Sequence, residues 1–301
     1  MNAVSAFLIE PFRPPYMQRA LVEVLLLAAL AGVTGVFVVL RRLAFVTDAL
    51  THTVFPGIVV AFLLGKSILL GALAAGLLTA VLLAPLGAHR RVGQDAALAI
   101  LLTSFFSIGV ALVSRLATFT ADLTTLLFGR VLFSDRATIA QTALLAVVVL
   151  AVFATFRNPL VLRAFDPVGA AAMGYHPVLL DLLLNVLIAL TVVAAVKAVG
   201  TVLVIALIVV PAAAARLLTG RLAVMVVLAC VLAAFGGWLG LGISYEVSVN
   251  HGVRLAAGAT IVVVLVTLFG LAAVAAPALR RLEARRATRR RGLGKPAGVP
   301  Q

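Results

Sequence analysis

Residues 41–57 read RRLAFVTDALTHTVFPG, a polar island between two long apolar runs. Two arginines open it and Pro56-Gly57 closes it. Between them stand a carboxylate, Asp48, and an imidazole, His52, four positions apart. On a helix, side chains at i and i+4 share a face, with Cβ atoms roughly 5–6 Å apart. An acid and a histidine on one face of an otherwise greasy chain form a site for a hard-to-borderline metal ion or for a proton. No other stretch pairs two such groups so closely at membrane depth.

The flanking runs decide the class. The chain has 301 residues, 64% of them hydrophobic and 11% charged. A soluble fold cannot carry so few charges, because a globular surface must be largely polar. The apolar runs are continuous rather than alternating, which excludes a β-barrel and leaves an all-α polytopic bundle. A span needs about 20 apolar residues. Nine runs qualify, starting near Ala20, Ala49, Ser67, Ala96, Ala137, Val178, Gly200, Leu222 and Gly252. The second is short and interrupted by Pro56, and the sixth and seventh are nearly continuous. Eight to nine transmembrane helices are therefore predicted. Pro211 predicts a kink in the seventh run, and the Gly236–Gly240 spacing suits close helix packing.

The charges orient the bundle. The net charge is +14, and residues 280–295 hold eight basic residues against one acid, Glu283. Beside a membrane helix this is a positive-inside signal that also suits anionic lipid headgroups, not a nucleic-acid signal. Working back from a cytoplasmic tail, residues 244–251 and 116–136 fall outside. Arg41-Arg42, His89-Arg90-Arg91, residues 157–177, Arg216 and Arg221 fall inside. The chain divides into an interfacial segment 1–19, a transmembrane domain 20–279 and a basic tail 280–301. The single cysteine, Cys230, lies within an apolar run and reads as core. The N-terminus lacks the pattern of a removable signal peptide.

Two connections exceed simple turns. Residues 116–136 contain DLTTLLFGR, half apolar and headed by Asp122, and read as a segment dipping towards a pore mouth. Residues 157–177 read RNPLVLRAFDPVGAAAMGYHP. Asp166-Pro167 is a helix-start signal, while Gly174 and Pro177 are stop signals. The result is a short amphipathic helix on the cytoplasmic face, suited to docking in another protein's groove.

Asp48 and His52 lead the candidate metal ligands. Asp122, Glu246 and His251 lie on the outer side, where they could help collect a cation, while Asp95 and Asp181 read as rim or cap residues. A carboxylate–imidazole site without thiolates suits manganese or zinc held loosely enough to release. Leu64-Gly65-Lys66-Ser67 imitates the end of a phosphate loop, but Val60 occupies the place of its first glycine. The chain is therefore not expected to bind ATP, and no catalytic motif marks it as an enzyme.

Four stretches together resemble one family. They are RRLAFVTDALTHTVFPG, ADLTTLLFGRVL, FDPVGAAAMGYHP and KAVGTVLVIALIVVPAAAARLLTGR. In that order they look like the permease subunits of bacterial ATP-binding-cassette importers for zinc, manganese or iron ions. The resemblance implies a multi-pass protein of the bacterial plasma membrane, working as a homodimer or paired with a second permease chain. Cytoplasmic ATPase subunits would drive it and an extracytoplasmic metal-binding protein would feed it. Divalent metal would be cargo, with no permanently bound cofactor. It also implies that Asp48 and His52 line the path, and that Asp166, Pro167, Gly169, Ala172 and Gly174 form the segment coupling to the ATPase. One departure stands out. Where the family shows S-Y-x-x-D-x-P-x-G, this chain has Ser248 for the acid and Asn250 for the proline. Either Glu246 or His251 replaces the ligand, or the outer gate is neutral. Two other readings stay open: a stand-alone ion- or proton-coupled transporter, and an iron-chelate-type permease.

Overall fold

The computed structural model describes residues 9–88, 91, 93–114, 132, 134–250 and 255–292, the side chains of 88 and 278–292 excepted. A 3-10 turn at Glu10–Phe12 leads into α1, Pro15–Leu40. Two half-helices follow, α2 (Ala44–Thr53) and α3 (Phe55–Leu63), then α4 (Ile68–Ala88) and α5 (Gln94–Val113). Next come α6 (Arg136–Thr155) and two short helices, α7 (Arg157–Phe165) and α8 (Pro167–Ala172). The chain then runs through α9 (Pro177–Leu218), α10 (Leu222–Asn250) and α11 (Ala257–Gly292). Among the described residues there is no strand, as expected where a backbone must satisfy its hydrogen bonds within one segment.

Among the described residues, eight helices, counting α2 and α3 as one, are long and apolar enough to span a membrane. The difference from nine runs lies in α9, whose 42 residues bend at Gly200 (φ 77°, ψ 165°). Each arm is about one span long. A side chain cannot adopt that backbone conformation without strain, so glycine is required there. Pro211 lies inside the second arm with helical dihedrals, and the one non-helical residue within α9 is Gly200.

α9 is the hub of the bundle. Leu184, Leu187, Ile188, Val192, Leu203 and Leu207 are buried, and α1, α2, α4, α6, α10 and α11 pack around them. Polar contacts inside are few. Thr191 donates to the Leu187 carbonyl, which leaves Thr34 as the donor in its 3.0 Å bond to Thr191. Small residues set the closest approaches. A Cβ on Gly57 would strike the Gly71 carbonyl, and one on Gly71 would strike the Gly57 carbonyl, so α3 and α4 touch backbone to backbone. Gly236 and Gly240 likewise admit Leu265 and Ile261 of α11, as their spacing predicts. The Cys230 thiol packs against Gly32.

Several arginines gather at one end. Arg41 and Arg163 both meet Asp181, Arg216 donates to the Val39 carbonyl, and the ends of α4 and α5 border the same cavity as Arg41 and Arg163. These are the segments that charge alternation assigns to one side. Residues 116–131, with Asp122, lie outside the described residues, as does His251.

Candidate metal-facing site and its link to the docking segment

α1 ends in a Schellman turn. The Leu43 amide bonds the Val38 carbonyl and the Arg42 amide bonds the Val39 carbonyl. Arg42 takes the left-handed position at φ 57°, the only non-glycine residue among those described to do so. That turn launches α2. One face of α2 is buried through Val46, Ala49, Leu50 and Thr53. The other presents Asp48 and His52, whose side chains are 37% and 38% exposed. His52 Nε2 lies 3.8 Å from Asp48 Oδ1, beyond hydrogen-bond length but within ion-pair range. The imidazole is braced edge-on by Phe106 of α5, with ring centres 5.9 Å apart. Phe55 completes the wall, 5.9 Å from Phe106 and lying on Gly109.

The helix breaks just past this pair. Val54 separates α2 from α3, and Pro56 supplies no N–H to the His52 carbonyl, whose regular helical donor it would be. The Thr51 and Thr53 hydroxyls turn back onto the Asp48 and Leu50 carbonyls. Half-helices of this kind place backbone and side-chain oxygens together at membrane depth.

A divalent ion with ligand bonds of about 2.0–2.2 Å touches two atoms lying up to about twice that distance apart. The 3.8 Å gap meets that condition. Glu246 does not join the pair: it sits in the last turn of α10, bonded by Asn250, on a helix that packs chiefly on α1, α9 and α11. Among the described residues no three metal-ligating side chains cluster, and the Asp48–His52 pair stands as two candidate donors. Ser248 and Ser244 bond the Leu255 amide and carbonyl, tying α10 to the start of α11.

Residues 157–177 follow their sequence signals closely. Asp166 caps α8, its carboxylate accepting from the Gly169 amide at 2.8 Å. Pro167 takes the first helical position, and the cap carboxylate fills the space that a Gly169 Cβ would need. Gly174 (φ 87°) closes the helix, with Tyr175 bonding the Ala170 carbonyl. Ala170 is buried, Ala172 is exposed, and Phe165, Val168 and Met173 stand out at 66%, 79% and 69% exposure.

Two residues emerge only in three dimensions. Glu23 of α1 is wholly buried, one oxygen accepting from the Thr142 hydroxyl at 2.7 Å and the other without a hydrogen bond. It is an ionisable group inside an apolar run that does not figure among the candidates read from the sequence. The signal was available, since an acid inside an apolar run is itself a functional flag. Asp181, read as a rim residue, binds two arginines at once. The phosphate-loop imitation dissolves: Gly65 is the left-handed cap of α3, with the Lys66 amide on the Ala61 carbonyl.

The comparisons agree with this architecture. Residues 13–276 match the family described as "ABC 3 transport family". The chain is 37% identical over 272 residues to the manganese transport system membrane protein MntC of Halalkalibacterium halodurans, covering 90% of this chain and 91% of that one. It is 33% identical over 247 residues to the chelated iron transport system membrane protein YfeD of Yersinia pestis, covering 82% and 83%. Among solved structures, PsaBC from Streptococcus pneumoniae in complex with Fab superposes with a TM-score of 0.79 at 29% identity, over 94% of this chain and 99% of that one.

Proposed function

The chain belongs to the ABC 3 transport family, and from that premise we propose that it is the membrane permease of an importer carrying divalent metal ions, manganese foremost, into the bacterial cytoplasm. It is a multi-pass membrane protein, and transport rather than catalysis is its own task. The observation that carries the reading is the Asp48–His52 pair, which faces outward from a half-helix that a proline interrupts. Relatives named for manganese and for chelated iron bracket the cargo. Zinc shares the same ligands and stays within the proposal.

Asp48 supplies charge and one oxygen, and His52 supplies a neutral nitrogen. Two ligands bind weakly enough to let an ion move on, as conduction requires. A second copy of the chain would add a second pair and close a transient four-ligand shell. Hydrolysis of ATP belongs to a separate cytoplasmic subunit docked on α8, where the apolar corner of Phe165, Val168 and Met173 is presented. An extracytoplasmic metal-binding protein delivers the ion at the other end.

The test is uptake by the chain reconstituted with its ATPase in vesicles, using Mn²⁺, Zn²⁺ and Fe²⁺ in turn. ATP-dependent entry of at least one ion is expected, with loss in Asp48→Ala and in His52→Ala while assembly persists. Normal uptake by both variants would remove the pair from the path. Uptake driven by a proton or sodium gradient without the ATPase would instead establish a secondary transporter.

A further inference from the structure

We propose that Asp181 is a positioning residue that ties the docking segment to the metal-bearing half-helix, so that the two move as one. This rests on the transport reading above and adds to it the residue through which a push on α8 reaches Asp48 and His52.

The geometry is a two-armed bridge. Asp181 Oδ1 accepts from Arg41 Nη2 at 2.7 Å, and Oδ2 accepts from Arg163 Nη2 at 2.8 Å. Both bonds are charge-assisted and at the short end of their range. The three side chains belong to three different elements. Arg41 is the last residue before the left-handed Arg42 that launches α2. Arg163 stands in the last turn of α7, just ahead of the Asp166 cap of α8. Asp181 stands in the first turns of α9, the helix around which the bundle is packed. The side chains are only 17–27% exposed.

An isolated surface ion pair contributes little, but this trio differs in two ways. One carboxylate is shared by two guanidinium groups, so its loss leaves two half-buried cations without a counter-charge between them. The trio also forms one wall of a cavity of about 370 Å³, lined opposite by Leu83, Ala84, Gly87 and Gln94. The tie therefore borders open space, and its members can travel without displacing packed side chains. α7 and the α1–α2 turn are otherwise far apart in the chain, and the carboxylate is what joins them. A link of this kind is a physical coupling rather than mere proximity.

The experiment uses the whole transporter, reconstituted with its ATPase and binding protein, measuring Mn²⁺ uptake and ATP hydrolysis in the same vesicles. In Asp181→Asn, uptake per ATP hydrolysed is expected to fall by about tenfold, within the span of a typical coupling energy, while hydrolysis stays within about twofold. Arg41→Gln and Arg163→Gln each break one arm and leave the carboxylate paired. Each should uncouple, and the double variant should be no worse than the more severe single one, because either break severs the same tie. These two carry the test if Asp181→Asn does not assemble. Unchanged uptake per ATP in all three variants overturns the tie. So do uptake and hydrolysis falling in step, and so do two arginine effects that simply multiply. Failure of the wild type to show ATP-driven uptake would overturn the transport reading itself. Normal coupling in Asp181→Asn beside a well-behaved wild type overturns only the tie.

Discussion

At the scale of the residue, the most demanding side chain is Glu23. It is fully buried, and its one protein hydrogen bond comes from Thr142, on a helix 119 positions away. Removing that donor strands the carboxyl group in a low-dielectric interior. Thr142→Val is expected to cost about 1–3 kcal/mol, read as a lower unfolding temperature of the detergent-solubilised protein. Glu23→Gln keeps an acceptor for Thr142 and should cost less than Thr142→Val. Equal losses in the two variants would show that the hydroxyl contributes nothing specific. The sequence displayed Glu23 plainly as an acid inside an apolar run, yet no pattern named its partner. Thr142 is one hydroxyl among many, and only folding selects it. Asp48 and His52 are the opposite case: four residues apart, they were legible because a helix repeats on that spacing.

Elements were legible wherever local chemistry dictates them. Asp166, Pro167 and Gly174 start and stop α8 where capping rules put them. Asp166→Ala removes the bond to the Gly169 amide and should loosen α8 by about 1 kcal/mol, with Asp166→Asn close to wild type. Because α8 is the proposed docking surface, the readout is the affinity of the ATPase for the vesicle-embedded chain; equal binding by both variants would detach the cap from docking. The bend of α9 was half legible. The sixth and seventh runs read as nearly continuous, and hydropathy gave no sign that a glycine bends the helix joining them. Proline leaves the dihedrals helical at Pro211, whereas φ 77° at Gly200 demands a residue without Cβ. Gly200→Ala is therefore expected to cost about 1–3 kcal/mol, measurable as a loss of thermal stability, while Pro211→Ala should cost much less. The Gly57–Gly71 contact was hidden altogether, because Pro56-Gly57 reads as a helix breaker and gives no hint of which helix presses on it.

For the molecule as a whole, composition alone separated a membrane bundle from every soluble class, since burying backbone in lipid leaves few architectures. Charge alternation also placed the arginine-bearing ends together. Assembly was less accessible: a single chain exposes Asp48, His52 and the flanking Phe106, and among the described residues no third metal-ligating side chain joins the pair. If two copies share the path, residue 52 of one copy faces residue 52 of the other. With Cys230 replaced by alanine, a His52→Cys variant is expected to form a copy-to-copy cross-link with a short bifunctional thiol reagent, read as a doubled mass on a denaturing gel. Absence of that species under both resting and ATP-driven conditions would set the pairs apart.

The bridge at Asp181 also bears on how the chain is made. Arg41 emerges 140 residues before the acid that receives it. During that interval its charge is free, and it helps hold the end of α1 on the side of synthesis, as basic residues do. Once α9 is inserted, the same charge is neutralised and becomes a fastener. One arginine thus serves first as an address and later as a joint. A neutral substitution at Arg41 would show itself twice: as a fraction of chains threaded the wrong way, and as loosened coupling in those threaded correctly.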